Sequence, residues 1–232
     1  MADKKQDWGG WLKWVGLAVL VPSLLLNVYL GLVRPRSDEG ILVMEVLDGD
    51  TLLLDGKVRL RLRQVDAPEL EFCGGQEAKA FLENMVKGKK ITIQDKILDQ
   101  QGRALALVYV GDKLINLEIL KNGWGRYHYD KSSKEEELKQ AGEMAKQSQL
   151  GIYSSECYQT TENLDNPDCL IKGNIDKNAP AEVAKKYYFP GCAQYDFTIV
   201  EKDLGEDWFC SEKEAKEAGF VKSKTCHDQK YK

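Results

Sequence analysis

The stretch Val58-Arg59-Leu60-Arg61-Leu62-Arg63-Gln64-Val65-Asp66-Ala67-Pro68-Glu69 decides the fold of this chain. Arginine and leucine alternate in its first half, and a period of two predicts a strand, Val58–Val65, with its arginines on one face. Asp66-Ala67-Pro68-Glu69 then ends the strand and presents two carboxylates at a loop. Taken alone, alternating arginines are typical of a solvated strand face, so the meaning of the stretch depends on its surroundings.

Short runs of Leu, Val and Ile on both sides of this stretch predict a small barrel. The further strands are predicted at Ile41–Leu47, Thr51–Leu54, Lys90–Gln94 and Ala104–Val110, and the helices at Gln76–Lys87, Leu114–Asn122 and from a capping box at Ser132 and Glu135 to about Gln149. The turn signals Asp48-Gly49-Asp50 and Asp55-Gly56 separate the first three strands. Five short strands with interspersed helices predict an α+β fold, mainly β barrel, of the five-stranded oligonucleotide-binding (OB) type over residues 41–154.

The composition excludes several classes of protein. In a chain of 232 residues, 43% hydrophobic and 30% charged residues rule out a disordered chain, a collagen and a polytopic membrane protein. The net charge of -4 argues against tight, salt-driven coating of nucleic acid, which requires a basic surface. It does not argue against cleaving nucleic acid, because a hydrolase must release its product.

The first 40 residues predict an N-terminal transmembrane signal anchor. From Val15 to Val33 there is no charged residue, and a helix of that length is close to one hydrocarbon core. A buried core helix and a cleaved signal peptide are the alternatives. Cationic residues on the two sides of the span are nearly balanced, so the positive-inside rule favours an N-inside anchor only weakly.

The six cysteines predict disulfides in an oxidising compartment. Five of them fall in the last third of the chain, in loop-like sequence: Cys157, Cys169, Cys192, Cys210 and Cys226. Residues 155–170 are predicted as a linker, which a bond between Cys157 and Cys169 could close, and residues 171–232 as a small cysteine-stapled module. A zinc site drawn from the last four cysteines is the alternative, although no Cys-x-x-Cys spacing supports it. Cys73 is either a bystander or a partner of another cysteine.

Carboxylates and arginines of the barrel segment form a constellation suited to phosphodiester cleavage. Asp50 and Asp66 stand at loops, and hard cations such as Ca²⁺ take several oxygen ligands. Arg61 leads into the second loop, and Arg103 follows the turn at Asp99-Gln100-Gln101-Gly102. A cation and guanidinium groups stabilise charge on phosphorus oxygens, while a glutamate such as Glu69 can position or deprotonate a water.

This combination resembles the staphylococcal (thermo)nuclease family. The resemblance covers about residues 43–153 and rests on five stretches: Asp48-Gly49-Asp50-Thr51, Arg61 to Glu69, Gln101-Gly102-Arg103-Ala104-Leu105-Ala106, Asn116-Leu117-Glu118-Ile119-Leu120 with Gly123-Trp124-Gly125, and Gly151-Ile152-Tyr153. What it implies is a five-stranded barrel with Ca²⁺-dependent phosphodiesterase activity. The implied substrates are single-stranded or denatured DNA and RNA, cut with little sequence preference to leave 3′-phosphates.

The resemblance also implies roles for individual residues. Asp50 and Asp66 would bind Ca²⁺, together with the backbone carbonyl of Ala67, where the family commonly has threonine. Glu69 would orient or activate the attacking water, and Arg61 and Arg103 would bind the scissile phosphate. The lesser candidates lie near the nucleotide and at the edge of the site: Tyr129 and Asp99.

The C-terminal module resembles a small module of the so-called sunset type, which follows secreted bacterial nuclease domains. The shared features are Gly173-Asn174-Ile175, Pro190-Gly191-Cys192 and Trp208-Phe209-Cys210, after which Ser211 and Glu214 predict a capped helix ending near Gly219. We therefore expect a monomeric, single-pass protein of the cell membrane with an extracytoplasmic nuclease domain and no organic cofactor. A non-catalytic nucleic-acid-binding or cell-envelope interaction module on the same fold is the alternative.

Overall fold

The computed structural model describes residues 40–227 and 229–231. The predicted membrane anchor, with its apolar run at Val15–Val33, lies outside these residues. Within the described part of the chain, no helix is long and apolar enough to cross a membrane.

Five strands close into a barrel, as the sequence predicts. They are β1 (Ile41–Val46), β2 (Thr51–Leu54), β3 (Val58–Leu62), β5 (Lys90–Leu98) and β6 (Ala104–Val110). Neighbouring strands β3-β2-β1-β5-β6 are antiparallel, and a parallel pairing of β3 with β6 closes the ring. Three strands of two residues each complete this part: β4 (Val65–Asp66), β7 (Lys113–Leu114) and β8 (Arg126–Tyr127). Strand β4 pairs antiparallel with β8, so that Asp66 lies opposite Arg126.

Three helices cover the barrel: α1 (Gly75–Val86), α2 (Ile115–Lys121) and α3 (Glu135–Gln147). Leu82 of α1, Ile119 of α2 and Leu138 of α3 are fully buried in the same core as the inward-facing strand residues. Burying each such side chain contributes about 1.5–3 kcal/mol. The amphipathic spacing that predicted the helices therefore also fixes which of their faces meets the barrel.

The start of α3 differs from the prediction. The residue that precedes the helix is Lys134, and no side chain caps it. Ser132 instead accepts a hydrogen bond from the Lys134 N–H and donates one to the Gln64 side chain of the barrel. The predicted capping box of Ser132 and Glu135 is wrong because a tertiary contact takes the serine hydroxyl.

The C-terminal segment forms a second, smaller core. Its four-stranded sheet runs in the order β13 (Trp208–Phe209), β10 (Ile171–Ile175), β11 (Lys185–Tyr188), β14 (Val221–Lys222). Two short helices, α4 (Ala181–Ala184) and α5 (Glu212–Glu217), accompany it. Ser211 accepts a hydrogen bond from the Glu214 N–H, which confirms the predicted cap of α5. Inside the predicted linker, β9 (Tyr158–Gln159) pairs with β12 (Val200–Glu201).

All six cysteines form disulfides: Cys73–Cys157, Cys169–Cys210 and Cys192–Cys226. The predicted closure of the linker by a bond between Cys157 and Cys169 is wrong, because each pairs with a more distant partner. The zinc alternative fails for the same reason, since its four cysteines form two disulfides. The Cys73–Cys157 bond ties the loop before α1 to the chain that follows α3.

The barrel and the C-terminal segment are joined by partly buried ion pairs within one compact unit. Arg126 on β8 donates hydrogen bonds from Nε and Nη2 to the two carboxylate oxygens of Asp203, at 2.7 and 2.8 Å, and from Nη1 to Glu201 at 2.9 Å. Because Arg126 pairs with Asp66 across β4 and β8, the C-terminal segment lies beside the loop that carries the candidate catalytic residues. The predicted boundaries at residues 154 and 170 stay a prediction.

Candidate active site

Asp50 is held beneath the site by the turn between β1 and β2. Gly49 is required there, because a Cβ at this position would lie 2.6 Å from the Cβ of Ala67. The carboxylate of Asp50 is buried; its Oδ2 accepts the Ala67 N–H at 3.0 Å, and its Oδ1 accepts the Thr51 hydroxyl at 2.9 Å. The two loops that the sequence singled out are thus hydrogen-bonded to each other.

Arg61 brings the two candidate metal-binding carboxylates together. Strand register places Arg61 opposite Thr51, beside Asp50. Its Nη2 lies 2.8 Å from Oδ2 of Asp50 and 2.5 Å from Oδ1 of Asp66. A single guanidinium nitrogen therefore sits between the carboxylates, where a positive charge is needed to offset their repulsion.

Burial dominates the electrostatics of Asp50. It raises the pKa of this carboxyl to about 7, although the Arg61 guanidinium and the Ala67 N–H act to lower it. Transfer of a carboxylate out of water disfavours the charged form unless enough positive charge compensates. Arg61, which is shared with Asp66, does not compensate fully, so a further cation would stabilise the ionised form.

These residues fit a hard divalent cation in part. The carboxylates of Asp50 and Asp66 and the carbonyl of Ala67 are the oxygen donors that Ca²⁺ prefers. Within residues 40–227 and 229–231, no group of three or more acidic, histidine or cysteine side chains could hold a metal ion. A cation here would accordingly depend on backbone and water oxygens to complete its coordination.

Glu69 stands on a tight loop that follows β4. Its carbonyl accepts the Phe72 N–H at 3.0 Å. A Cβ at Gly75 would lie 2.1 Å from that same carbonyl oxygen, so only glycine lets α1 begin so close to the loop. The Glu69 carboxylate itself is exposed, and no described residue forms a hydrogen bond or ion pair with it.

Arg103 directly precedes β6, the strand that pairs with β3, and is held in place by Asp99. The Arg103 Nε donates to Oδ2 of Asp99 at 2.6 Å, while Oδ1 of Asp99 accepts the Arg103 and Gln101 N–H groups, both at 2.8 Å. The Arg103 N–H is the main cause that lowers the pKa of Asp99. Among the described residues, the Nη groups of Arg103 have no hydrogen-bond partner, which leaves them available for an anion.

Two cavities bring the candidates together. Arg61, Glu69 and Arg103 line the larger, of about 580 Å³. Arg61, Asp66, Asp99 and Arg103 line a neighbouring cavity of about 350 Å³. The three candidate catalytic residues thus face one space, with Asp50 buried beneath it.

Tyr129 is the candidate that the structure does not bring to this space. Its side chain is 71% exposed, and it lines neither cavity. Sequence reasoning also missed the roles of Thr51, which orients Asp50, and of Arg126. Thr51 stands within the Asp-Gly-Asp-Thr motif and could have been noticed, whereas nothing in the sequence around Arg126 indicates its partner Asp203, 77 residues away.

Comparison with known proteins gives consistent matches to nucleases. Residues 59–155 match the family model described as "Staphylococcal nuclease homologue", a segment that contains every candidate except Asp50. An uncharacterized endonuclease of Haemophilus influenzae is 33% identical over 140 residues, which cover 59% of this chain and 78% of that protein. An uncharacterized endonuclease of Escherichia coli is 30% identical over 115 residues, covering 48% of this chain and 75% of that protein. A probable staphylococcal-like nuclease of Oryza sativa subsp. japonica is 33% identical over 106 residues, but these cover only 28% of its length.

Proposed function

Because the chain belongs to the staphylococcal nuclease homologue family, we propose that it is a Ca²⁺-dependent nuclease that hydrolyses phosphodiester bonds of DNA and RNA with little sequence preference. The observation that carries the proposal is the cavity shared by Arg61, Glu69 and Arg103 next to the paired carboxylates of Asp50 and Asp66. The two bacterial relatives whose matches with this chain cover 78% and 75% of their own length are named endonucleases, which supports the reaction class.

The arginines would bind and stabilise the scissile phosphate. Arg103 offers its Nη groups, since only its Nε is engaged by Asp99. Arg61 uses Nη2 on the two carboxylates and keeps Nε and Nη1 for an anion. Two guanidinium groups that line one cavity can stabilise the charge that develops on the phosphorus oxygens in the transition state.

Glu69 would position the attacking water and accept its proton. Its carboxylate is exposed to the same cavity as both arginines and is free of any pairing within the described residues. A general base needs such direct access to the reacting proton, and it contributes typically about 10²- to 10⁴-fold in rate. Asp50, Asp66 and the Ala67 carbonyl would hold Ca²⁺, which when bound would act as a Lewis acid on the phosphate oxygens.

A chelator experiment tests the proposal directly. The protein from residue 41 onward, purified with its disulfides intact, is expected to digest denatured DNA in the presence of Ca²⁺ and to stop when a chelator is added. Analysis of product ends is expected to find 3′-phosphates. A protein that remains inert with Ca²⁺ but still binds DNA would replace the enzyme by the non-catalytic binding module.

The cellular setting is part of the proposal. We place the nuclease outside the cytoplasmic membrane as a monomer, anchored through the apolar run at Val15–Val33. Three disulfides support an oxidising compartment, because such bonds rarely persist in a reducing cytosol. Protease treatment of intact cells is the test: it should remove the nuclease if the domain faces outward.

A further inference from the structure

A second groove, lined by lysines, opens beside the candidate active site. It has a volume of about 430 Å³, and Asp66 of the candidate metal site forms part of its wall. The other walls come from α3, with Lys139 and Lys146, and from the turn after β10, with Lys177. We call this feature the lysine groove. It lies between the barrel and the C-terminal segment, so the barrel alone could not form it.

The positive charge of the lysine groove is not neutralised by its surroundings. Arg126 also lines it, but Asp203 and Glu201 take all three of its nitrogens. Lys139, Lys146 and Lys177 are exposed and form no hydrogen bond or ion pair with the described residues. Glu143 is the acidic side chain that offsets them, together with Asp66 at one end of the groove. Three lysines without an ion pair therefore face two carboxylates in the lining, although the Lys146 ammonium also lies over the Tyr158 ring, 5.6 Å from its centroid.

The three lysines line one cavity and are not scattered over the surface. Lys139 and Lys146 are two turns apart on one face of α3, roughly 10 Å along the helix axis. Between them, Gly142 brings the helix against β8, where a Cβ at Gly142 would lie 3.0 Å from the Cβ of Tyr127. Gly142 therefore lines the groove without a side chain, Lys139 and Lys146 line it from the same helix, and Lys177 lines it from the C-terminal segment.

We propose that the lysine groove binds backbone phosphates of a single-stranded polynucleotide whose scissile phosphate lies in the active site. This inference rests on the proposed nuclease function and extends it to a subsite that the C-terminal segment completes. Asp66 and His128 line both the groove and a cavity of the active site, so the two openings adjoin and one strand could reach both. A solvent-open groove lined by lysines suits a flexible polyanion, because contacts to phosphate are independent of base sequence.

The proposal explains how an acidic protein can hold a polymer. The net charge of -4 prevents tight binding over the whole surface, whereas three lysines at one place supply affinity where the strand must lie. Binding through phosphates releases counterions, with a salt slope of about 0.7 per phosphate on single strands. The groove should accordingly favour long strands over short ones and should lose its effect at high salt.

The test compares two pairs of lysines. Lys139→Gln/Lys177→Gln removes two charges from the groove, and Lys121→Gln/Lys224→Gln removes two exposed charges that do not line it. Binding of fluorescent oligothymidylates of 20 and 3 nucleotides is measured by anisotropy at low salt, with chelator present to prevent cleavage. For the groove variant we expect the Kd of the 20-mer to rise about tenfold. The salt slope should fall by about 1.4, while affinity for the 3-mer stays unchanged.

Each outcome separates the groove from the nuclease function. If the groove variant binds the 20-mer as well as the wild type and the control variant do, the lysine groove is not a polynucleotide site. If that variant instead loses binding to vesicles of anionic lipid, the groove belongs to a membrane surface and the inference is overturned. The wild type could be inert with Ca²⁺ while the groove variant, and not the control variant, loses binding to the 20-mer. That result would overturn the nuclease function and support the groove as a polynucleotide site.

Discussion

Arg61 must contact two carboxylates of the candidate site and still be able to bind a phosphate. Its Nη2 contacts Asp50 and Asp66 at once, one of them buried and the other exposed. A guanidinium has five donors in a fixed fork, so it can join the carboxylates through one nitrogen and still offer others to a phosphate. Lysine has one side-chain nitrogen, so it could not contact both carboxylates through one nitrogen and offer others to a phosphate.

The sharpest prediction at the residue scale concerns Glu69. Glu69→Gln should lower kcat by at least about 10²-fold, because the amide cannot accept a proton from water. The melting temperature should stay within the error of the wild type, since the carboxylate is exposed and has no partner among the described residues. Nuclease assays on denatured DNA and thermal melts provide the two measurements.

Glu71→Gln is the matched control for that prediction. Glu71 is likewise exposed, lies two residues further along the same loop and lines neither cavity of the site. Its substitution should leave both kcat and stability unchanged. A full-strength Glu69→Gln enzyme would show that the water is positioned by other groups and that the role assigned to Glu69 is wrong.

Residues of the site were predictable where local motifs and strand register place them. Arg61 fits the alternation of β3, and Glu69 follows three residues after Asp66, the last residue of β4, so neighbours in sequence remain neighbours in space. Tyr129 is a candidate by resemblance alone, and its side chain is exposed outside the two cavities. Asp203 could not be foreseen, because its meeting with Arg126 depends on how two separate cores pack.

At the scale of elements, the differences from prediction have identifiable causes. Strand β5 runs four residues beyond the predicted end at Gln94. The two parts of the strand are separated at Asp95, which has a positive φ of 49° and where the register with β6 shifts. Such a bulge interrupts the alternation on which strand prediction relies. Strands β4, β7 and β8 have only two residues each, too few to show any period.

The Cys73–Cys157 disulfide leads to a prediction about the Glu69 loop. Cys73 follows Glu69 by four residues, and the bond ties this loop to the chain after α3. The variant Cys73→Ser/Cys157→Ser should lower stability by about 4 kcal/mol through loop entropy. It should also lower kcat at a temperature where the protein stays folded, because Glu69 loses its fixed position. Denaturant unfolding and steady-state kinetics measure the two effects.

The Cys192–Cys226 bond supplies the control, because it closes a loop of similar entropy within the second core. Cys192→Ser/Cys226→Ser should cost about 4 kcal/mol of stability as well. Its kcat should match that of the wild type. An equal fall in kcat for both variants would mean that the first disulfide acts only through overall stability.

At the scale of the whole molecule, the barrel and the C-terminal segment depend on each other. Arg126 links them through three hydrogen bonds to carboxylates, and β9, which lies within the predicted linker, pairs with β12. An Arg126 left without these partners would stand next to Asp66 as an extra cation. The C-terminal segment thereby sets the charge around the candidate site as well as one wall of the lysine groove.

The buried carboxyl of Glu206 makes the stability of the whole molecule depend on pH. Glu206 is 2% exposed and accepts N–H groups from Ile175, Glu201 and the Asn174 side chain. Burial raises its pKa from the usual 4.5 to about 7, and the nearby charge of Glu201 adds to the rise. Between these values the folded protein holds a proton that the unfolded chain releases. The free energy of unfolding should therefore fall as pH rises through this range.

Glu206→Gln isolates this contribution, because the amide cannot titrate. Relative to the variant, the wild type should lose roughly 3 kcal/mol of stability between about pH 4.5 and about pH 7.5, at 1.36 kcal/mol for each pKa unit. The quantity to compare is the slope with pH rather than the absolute stability, since the amide also loses the acceptor for the Glu201 N–H. Urea unfolding of both proteins at half-unit steps of pH measures it. Parallel curves would show that Glu206 keeps an ordinary pKa in the folded protein and that its three N–H donors outweigh its burial.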